Sequence, residues 1–221
     1  MVRVISFDLV GTLFDNGFDF HLWHREIPRL YAKRYNLTFV EAKRRVMEEY
    51  KKFERKKVYT DVEFWFRHFD LHNWLTTLND LRHFIKPYED VLPVLKKLRN
   101  DYRLVAVTQA TRPIIELKFA ASGLGKYFER SFSTPSDFST FHKSGVVYKR
   151  VAAELGVRPR DIVHIGDDMH YDYHFPRKAG LHAYFLNRAG HKVRGKYVVK
   201  DMNEFLEKLE LHHSGRRSQG N

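Results

Sequence analysis

Residues 2–14 read VRVISFDLVGTLF, a short apolar run that is followed by an acid and a glycine turn. The run ends at Phe7, Asp8 follows it directly, and Gly11 comes three residues later. In an open parallel α/β sheet the carboxyl ends of the strands face the ligand crevice, so a carboxylate there is directed at a substrate or a metal ion. The pattern predicts a buried first strand that ends in an acidic nucleophile, although aspartate is also common as the cap of a turn.

Further polar groups stand at comparable places along the chain. Thr108 follows an apolar run and precedes a helix-like segment, so its hydroxyl and the nearby helix amides can hold an anion. Lys143 precedes another helix-like segment, and residues 166–172, which read GDDMHYD, follow a third apolar run. Each group alone is compatible with an ordinary structural or surface residue. The order of all these groups along the chain favours one shared site.

This order resembles that of the haloacid dehalogenase (HAD) superfamily of hydrolases, in the haloacid-dehalogenase-like and phosphatase branch with a helical C1-type cap. Asp8, Thr108, Lys143 and the run from Asp167 to Asp172 are similar to the four motifs of that family, and the resemblance covers nearly the whole chain. It implies an α/β fold, in which a Rossmann-like doubly wound parallel sheet forms the core and an α-helical cap domain is inserted. It also implies a hydrolase that uses Mg²⁺ as its cofactor.

Hydrophobic periodicity suggests where the two domains divide. Residues 15–86 carry apolar side chains at helical spacing, so we expect a helical cap domain there. Residues 1–14 and 87–211 contain alternating strand-like and helix-like segments, which predicts a parallel α/β core domain. The polar residues 212–221 are predicted to be a disordered tail.

The individual elements follow from the same periodicity. Cap helices are predicted near residues 19–35, 39–56, 61–72 and 74–85, the second and third with capping boxes that begin at Thr38 and Thr60. Later core strands are predicted near residues 103–107, 130–133, 162–165, 182–186 and 196–200. Core helices are predicted near residues 89–100, 112–121, 145–155, 175–179 and 202–211.

The composition excludes several classes of protein. The 221 residues are 43% hydrophobic and 15% aromatic, which is enough to bury a core for one full domain and a smaller one. No apolar run is long enough to span a bilayer and no signal peptide precedes the first strand, so we expect a cytoplasmic protein without a membrane partner. The absence of cysteine excludes disulfides, thiolate nucleophiles and cysteine-ligated zinc.

The charge favours anionic partners. The formal net charge is +12 at pH 7 and the sequence pI is about 9.8. Lysines and arginines are spread through the helical segments and interleaved with acids, without a concentrated recognition element. We therefore expect a small phosphorylated metabolite as the partner, and not nucleic acid. The resemblance implies a monomer.

The resemblance also implies roles for single residues. Asp8 would be the nucleophile that forms an aspartyl-phosphate, Thr108 would donate a hydrogen bond to the phosphoryl group, and Lys143 would neutralise the charge of both. The expected substrate-binding residues are Thr108, Gln109, Lys143, His21 and His24. The expected ligands of Mg²⁺ are Asp8, the carbonyl of Val10, Asp167, Asp168 and Asp172, because oxygen ligands suit this hard cation.

One residue departs from the family pattern. In typical phosphatases of this family the second residue after the nucleophile is an aspartate that protonates the leaving group and later activates water, whereas here it is Val10. General acid and base assistance is commonly worth about two to four orders of magnitude in rate. His21 and His24 stand in the segment that enters the cap and are candidates to replace it, because histidine titrates near neutrality.

Three functions therefore stay open at this point. The first is a slow Mg²⁺-dependent phosphatase, or one whose substrates have leaving groups that need little protonation. The second is a 2-haloacid dehalogenase, because halide leaves without a proton, although the acidic loop at Asp167 and Asp168 keeps a metal-binding character. The third is a non-catalytic protein that binds phosphate or a partner through a disabled site.

Overall fold

A computed structural model of the chain describes residues 2–217, with side chains for residues 2–211. The strands are β1 (Val4–Phe7), β2 (Arg103–Thr108), β3 (Arg130–Ser133), β4 (Ile162–Gly166), β5 (His182–Leu186) and β6 (Val198–Val199). They form one parallel sheet in the order β3-β2-β1-β4-β5-β6. This is the strand order of a doubly wound Rossmann-like sheet. The order in which the chain adds strands reverses between β1 and β4, while the strands themselves stay parallel. The predicted α/β fold is confirmed.

Helices flank the sheet and fill the region between β1 and β2. They are α1 (Gly17–His21), α2 (Ile27–Tyr35), α3 (Phe39–Lys52), α4 (Val62–His68), α5 (Trp74–Asp80), α6 (Val91–Leu98), α7 (Arg112–Ser122), α8 (Thr134–Asp137), α9 (Gly145–Glu154), α10 (Phe175–Lys178) and α11 (Met202–Arg217). Short π-helical turns occur at Leu22–Glu26 and Met169–His174, and 3₁₀ turns at Lys57–Thr60, Leu81–Phe84, Gly125–Tyr127 and Pro159–Asp161. None of the helices described has both the length and the apolar character that crossing a membrane requires.

The region between β1 and β2 is helical, as predicted, but its helices are shorter and are capped differently. The capping box at Thr38 is present, because the Glu41 amide donates to the Thr38 hydroxyl at 3.3 Å and the Glu41 carboxylate accepts from the Thr38 amide at 3.2 Å. The capping box that was predicted at Thr60 is wrong. Asp61 caps α4 by accepting from the amide of Phe64, which frees Thr60 for a contact with the sheet domain.

Aromatic side chains hold this helical region together. Trp65 is fully buried, with its ring 4.5 Å from that of Tyr50 and 5.3 Å from that of Phe69. Its indole nitrogen donates to the carbonyl of Tyr59 at 2.9 Å, so the polar end of the side chain is also satisfied. These aromatics are core residues, as their helical spacing indicated.

The two ends of the helical region lie side by side. The amide of Asp15 donates to the carbonyl of Lys86 at 3.0 Å, and Phe14 forms a β-bridge with Pro87. We propose from this pairing that residues 15–86 are a cap domain inserted into a core of residues 1–14 and 87–211, because a segment whose ends meet can be inserted into a sheet domain without disturbing it.

The C-terminal elements differ in length from the prediction. Strand β6 spans only Val198–Val199, and α11 continues to Arg217 instead of ending near residue 211. Helix propagation adds one hydrogen bond for each residue that is fixed, and the chain contains no proline there that would stop it. Of the predicted disordered tail, residues 212–217 are therefore helical in their backbone, and residues 218–221 lie outside the part of the chain that the structure describes.

Candidate active site

The ends of three neighbouring strands bring the predicted polar residues to one edge of the sheet. Asp8 follows β1, Thr108 ends β2, and Asp167 follows β4. The amide of Asp8 donates to the carbonyl of Ile165 at 3.0 Å, which fixes the backbone of Asp8 against β4. These residues line a cavity of about 300 Å³ between the strand ends and the helical region.

A buried lysine joins two of the acids. The ammonium nitrogen of Lys143 lies 2.5 Å from Oδ1 of Asp8 and 2.5 Å from Oδ1 of Asp172, and only 2% of its side chain is exposed. Ser144 caps α9, which places Lys143 directly before the helix. Burial by itself would lower the pKa of Lys143, but the charges of Asp172 and Asp8 outweigh it and raise that pKa, so the side chain stays cationic.

Three carboxylates form a cluster around this lysine. One oxygen from each of Asp8, Asp167 and Asp172 lies within 4.8 Å of the others. Burial, together with the charges of Asp172 and Asp167, raises the pKa of Asp8 to about 8, although Lys143 opposes this. Partial desolvation and Asp172 raise the pKa of Asp167, at the exposed rim, to about 6. Acids that repel each other in this way, with hard oxygen donors, fit a divalent cation such as Mg²⁺.

Asp172 is held from several sides. Its Oδ1 lies 3.1 Å from Nε2 of His164, and its Oδ2 accepts from the amide of Asp168 at 3.1 Å. Burial would raise the pKa of Asp172, but Lys143 and His164 outweigh it and lower the pKa to about 2. A carboxylate with this set of donors is fully ionised at neutral pH and positions Lys143.

Sequence reasoning missed the support beneath Asp172. Nδ1 of His164 lies 2.9 Å from the hydroxyl of Ser6, and the hydroxyl of Tyr148 lies 3.1 Å from Nε2 of His164. All three residues are fully buried, and Ser6 and His164 stand opposite each other in β1 and β4. A polar residue inside each of two apolar strand runs was the available signal, because buried polar groups need partners.

Glycines leave room for the acids. A Cβ atom on Gly166 would lie 2.3 Å from Cγ of Asp172. Gly11 has a φ of +81°, and a Cβ atom there would lie 2.1 Å from Oδ2 of Asp167. Both positions therefore require glycine, the second also because its backbone is left-handed.

The end of β2 contributes hydrogen-bonding groups that face the cavity. The hydroxyl of Thr108 accepts from the amide of Ala110 at 3.2 Å, and the carbonyl of Gln109 accepts from the hydroxyl of Thr60 at 2.8 Å. The side-chain nitrogen of Gln109 is buried and has no hydrogen-bond partner. Thr60 thus links the helical region to the end of β2.

Some predicted site residues lie elsewhere. The ring of His21 stacks on Phe84 with centroids 3.6 Å apart, the ring of His24 lies 5.5 Å from that of Phe20, and neither histidine lines the cavity. Asp19 and Trp23 line it instead, because residues four apart share one face of a helix and His21 and His24 face away from it.

Asp168 also has a structural task. Its Oδ1 accepts from the amides of His170 at 2.8 Å and Tyr171 at 2.7 Å, so it caps the π-helical turn Met169–His174. Asp168 therefore lies outside the cluster of three carboxylates, although it was predicted as a metal ligand.

The fold agrees with comparisons to known proteins. A family model for haloacid dehalogenase-like hydrolases matches residues 2–180. A solved structure of an HAD phosphatase from Thermococcus onnurineus is 25% identical, with a TM-score of 0.81 over 95% of this chain and 98% of that chain. A 2-haloacid dehalogenase from Pseudomonas syringae pv. Tomato DC3000 is 16% identical, with a TM-score of 0.64 over 96% of this chain and 99% of that one, and this likeness shows the fold alone.

A curated sequence relative matches a smaller part of the chain. Glyceraldehyde 3-phosphate phosphatase from Methanopyrus kandleri is 27% identical over 99 residues, which are 44% of this chain. The matched stretch spans only 42% of that relative's length. Since the family model matches most of the chain, the protein belongs to the haloacid dehalogenase-like hydrolases and is an enzyme of that family.

We expect Gly166→Ala to lower the free energy of unfolding by about 1–3 kcal/mol, because the new methyl group would push Asp172 away from Lys143 and His164. Gly145→Ala is the matched control, since a Cβ atom there would meet nothing closer than 3.8 Å, and it should change stability by less than about 0.5 kcal/mol. Urea unfolding of both variants measures the difference. Equal stabilities would contradict the tight packing at Gly166.

Proposed function

We propose that this hydrolase is a Mg²⁺-dependent phosphatase that acts on a small phosphorylated substrate through an aspartyl-phosphate at Asp8. The observation that carries the proposal is the buried contact of Lys143 with Asp8 inside a cluster of three carboxylates. A cation and a metal-binding cluster around one acid provide the countercharge that phosphoryl transfer needs. The two phosphatases among the similar proteins support the same substrate class.

The chemical step uses few groups. An oxygen of Asp8 attacks phosphorus, the bond from phosphorus to the leaving-group oxygen breaks, and the leaving group departs as an anion that takes a proton from water. Water then hydrolyses the aspartyl-phosphate to release phosphate. Lys143 holds the nucleophilic carboxylate in place and offsets its charge as the phosphoryl group approaches. The hydroxyl of Thr108, at the end of β2, would donate to a phosphoryl oxygen. Asp172 acts through Lys143 as a positioning residue.

The residues that would hold Mg²⁺ are Asp8, Asp167 and the carbonyl of Val10. The cation supplies countercharge to the phosphoryl oxygens when it is bound. Asp172 is occupied by Lys143 and His164, and Asp168 by two backbone amides, so we assign both to positioning the site and not to direct ligation.

Val10 limits the acid and base assistance in this chemistry. Val10 lines the cavity at the sequence position where typical family members carry the acid, and its side chain can neither donate nor accept a proton. His21 and His24 lie away from the cavity and do not offer a replacement there. We infer that the aspartyl-phosphate is hydrolysed slowly, or that preferred substrates have leaving groups that need little protonation.

The two other functions are weaker. Metal-independent dehalogenase chemistry needs Asp8 as the nucleophile but no second carboxylate beside it, whereas the cluster of Asp8, Asp167 and Asp172 favours a reaction that uses a cation. A non-catalytic binding protein disagrees with the membership of a hydrolase family. Both stay as outcomes of the activity test below.

Magnesium affinity should depend on pH. Burial and the neighbouring acids raise the pKa of Asp8 to about 8 when no metal is bound. Below that pH the cation must displace a proton from Asp8, and above that pH it need not. We expect the dissociation constant to fall by up to about tenfold per pH unit between pH 6.5 and 8 and to level off above pH 8.5. Calorimetric titration with MgCl₂ measures it, and Asp8→Asn should remove most of the dependence. An affinity that is constant over this range would contradict the assignment of Asp8.

Hydrolysis of p-nitrophenyl phosphate tests the activity itself. Turnover should require Mg²⁺, stop with EDTA and vanish in Asp8→Asn, whereas Val10→Asp should raise kcat by about tenfold or more because it restores an acid and base. Asp70→Asn is the control, because Asp70 pairs with Arg34 on the exposed surface. Metal-independent chloride release from 2-chloropropionate would instead favour a dehalogenase, and silence in both assays a binding protein.

A further inference from the structure

The helical region contributes to the cavity an aromatic side chain that the mechanism above does not use. Trp23 comes four residues after Asp19 and lines the cavity together with it. Its ring meets that of Tyr50 nearly at right angles, with centroids 5.9 Å apart. Trp23 is half-buried, so the part of its indole that does not pack on the helical region borders the cavity.

A buried contact fixes the helix that leads to this tryptophan. Lys118, on α7, is fully buried, and its ammonium nitrogen lies 2.5 Å from Oδ2 of Asp19, on α1. Ile114 stands one turn before Lys118 on α7 and also lines the cavity. The contact between Asp19 and Lys118 therefore holds the two helices together where Trp23 and Ile114 reach the cavity.

The apolar part of the lining extends to the acids. Val10 and Ala110 line the cavity together with Trp23 and Ile114, and Val10 stands only two residues after Asp8. The cavity holds about 300 Å³, which is at the lower end of the range for small-molecule sites. An apolar and aromatic wall of this size suits a leaving group with a single ring.

The missing acid restricts the leaving group in the same direction. Because Val10 cannot donate a proton, the bond to phosphorus breaks easily only if the leaving oxygen is stable as an anion. Alkoxides are strong bases and leave poorly in this way. Phenolates and carboxylates are weaker bases, since the pKa of a phenol such as that of tyrosine is about 10 and that of a carboxyl group about 4.

We propose that Trp23 is a specificity residue for the leaving group, and that the substrates are phosphorylated compounds whose leaving group is an aromatic oxyanion, either a phenolate or an arenecarboxylate. The ring of the leaving group packs on the indole, and its oxygen takes the electron pair of the broken bond to phosphorus as Asp8 forms the new one. This inference rests on the proposed phosphatase function and adds its substrate class.

Two pairs of substrates separate the ring from the basicity of the leaving group. Benzoyl phosphate and acetyl phosphate release carboxylates of similar basicity and differ in the ring. p-Nitrophenyl phosphate and phenyl phosphate share the ring and differ in the basicity of the phenolate. The quantity to compare is kcat/KM, because it reports on the steps up to release of the leaving group. Rates with Asp8→Asn are subtracted to remove spontaneous hydrolysis of the acyl phosphates.

Both pairs should differ in the native protein with Mg²⁺. We expect kcat/KM for benzoyl phosphate to exceed that for acetyl phosphate by about tenfold or more, because a packed aromatic pair adds to the gain from burying the ring. We expect p-nitrophenyl phosphate to exceed phenyl phosphate by about a hundredfold or more, which is the assistance that a general acid would otherwise supply. The larger kcat/KM of the two preferred compounds identifies the anion.

Variants assign the preference for the ring to Trp23. Trp23→Leu should bring benzoyl phosphate and acetyl phosphate to within about threefold of each other and leave acetyl phosphate within about threefold of its native value. Trp23→Phe keeps a ring and should retain most of the preference. Trp74→Leu is the matched control, because Trp74 is a half-buried tryptophan on α5 that does not line the cavity, and it should keep the native preference.

The outcomes distinguish the two proposals. If none of the four compounds is hydrolysed in a reaction that requires Mg²⁺ and Asp8, the phosphatase function itself fails. If hydrolysis requires Asp8 but acetyl phosphate is as good a substrate as benzoyl phosphate, the proposed specificity is wrong, and this native comparison holds even if Trp23→Leu does not fold. A preference that persists in a folded Trp23→Leu also contradicts it. Equal values for phenyl and p-nitrophenyl phosphate would contradict the limit that Val10 places on the leaving group.

Discussion

The buried ammonium group of Lys143, 2.5 Å from both Asp8 and Asp172, is the interaction on which the site depends. Without it, neighbouring carboxylates at adjacent strand ends would repel one another in a medium that screens charge poorly. Removing one partner of a buried pair typically costs about 3–5 kcal/mol, so the loss of Asp8, Lys143 or Asp172 should destabilise the positions of the other two. Ser6 and His164 extend this network into β1 and β4, and Tyr148 extends it into α9, so buried residues of the core support the site.

Much of this arrangement could be predicted from the sequence, because the site residues stand at the ends of apolar runs that form strands. The position of Asp8 after an apolar run, and of Asp167 after another, determines the edge at which they meet, and the parallel order of the strands makes them neighbours. The cap wall could not be predicted in the same way. Which face of α1 points inward depends on packing against Phe84 and Lys118, and this selects Asp19 and Trp23 instead of the histidines.

Local capping produced the other differences. Asp61 caps α4 in place of Thr60, which spacing had assigned to that position. Asp168 was predicted as a metal ligand, but its side chain accepts hydrogen bonds from backbone amides. Whether such a side chain caps the backbone or enters the site depends on its rotamer, which no single-sequence pattern records. Val10, by contrast, was identified from the sequence, and its place at the cavity wall gives it a chemical consequence: the acid and base step depends on the substrate or on water.

In the proposed mechanism Asp8 becomes covalently phosphorylated during turnover. The most direct measurement is to mix the protein with Mg²⁺ and p-nitrophenyl phosphate, quench it in acid within the first turnovers, and map the phosphoryl group by peptide mass spectrometry. Because Val10 cannot activate water, we expect the aspartyl-phosphate to accumulate on Asp8 and Val10→Asp to reduce its amount. Steady turnover with no phosphoryl group on Asp8, or with the group on another residue, would contradict it.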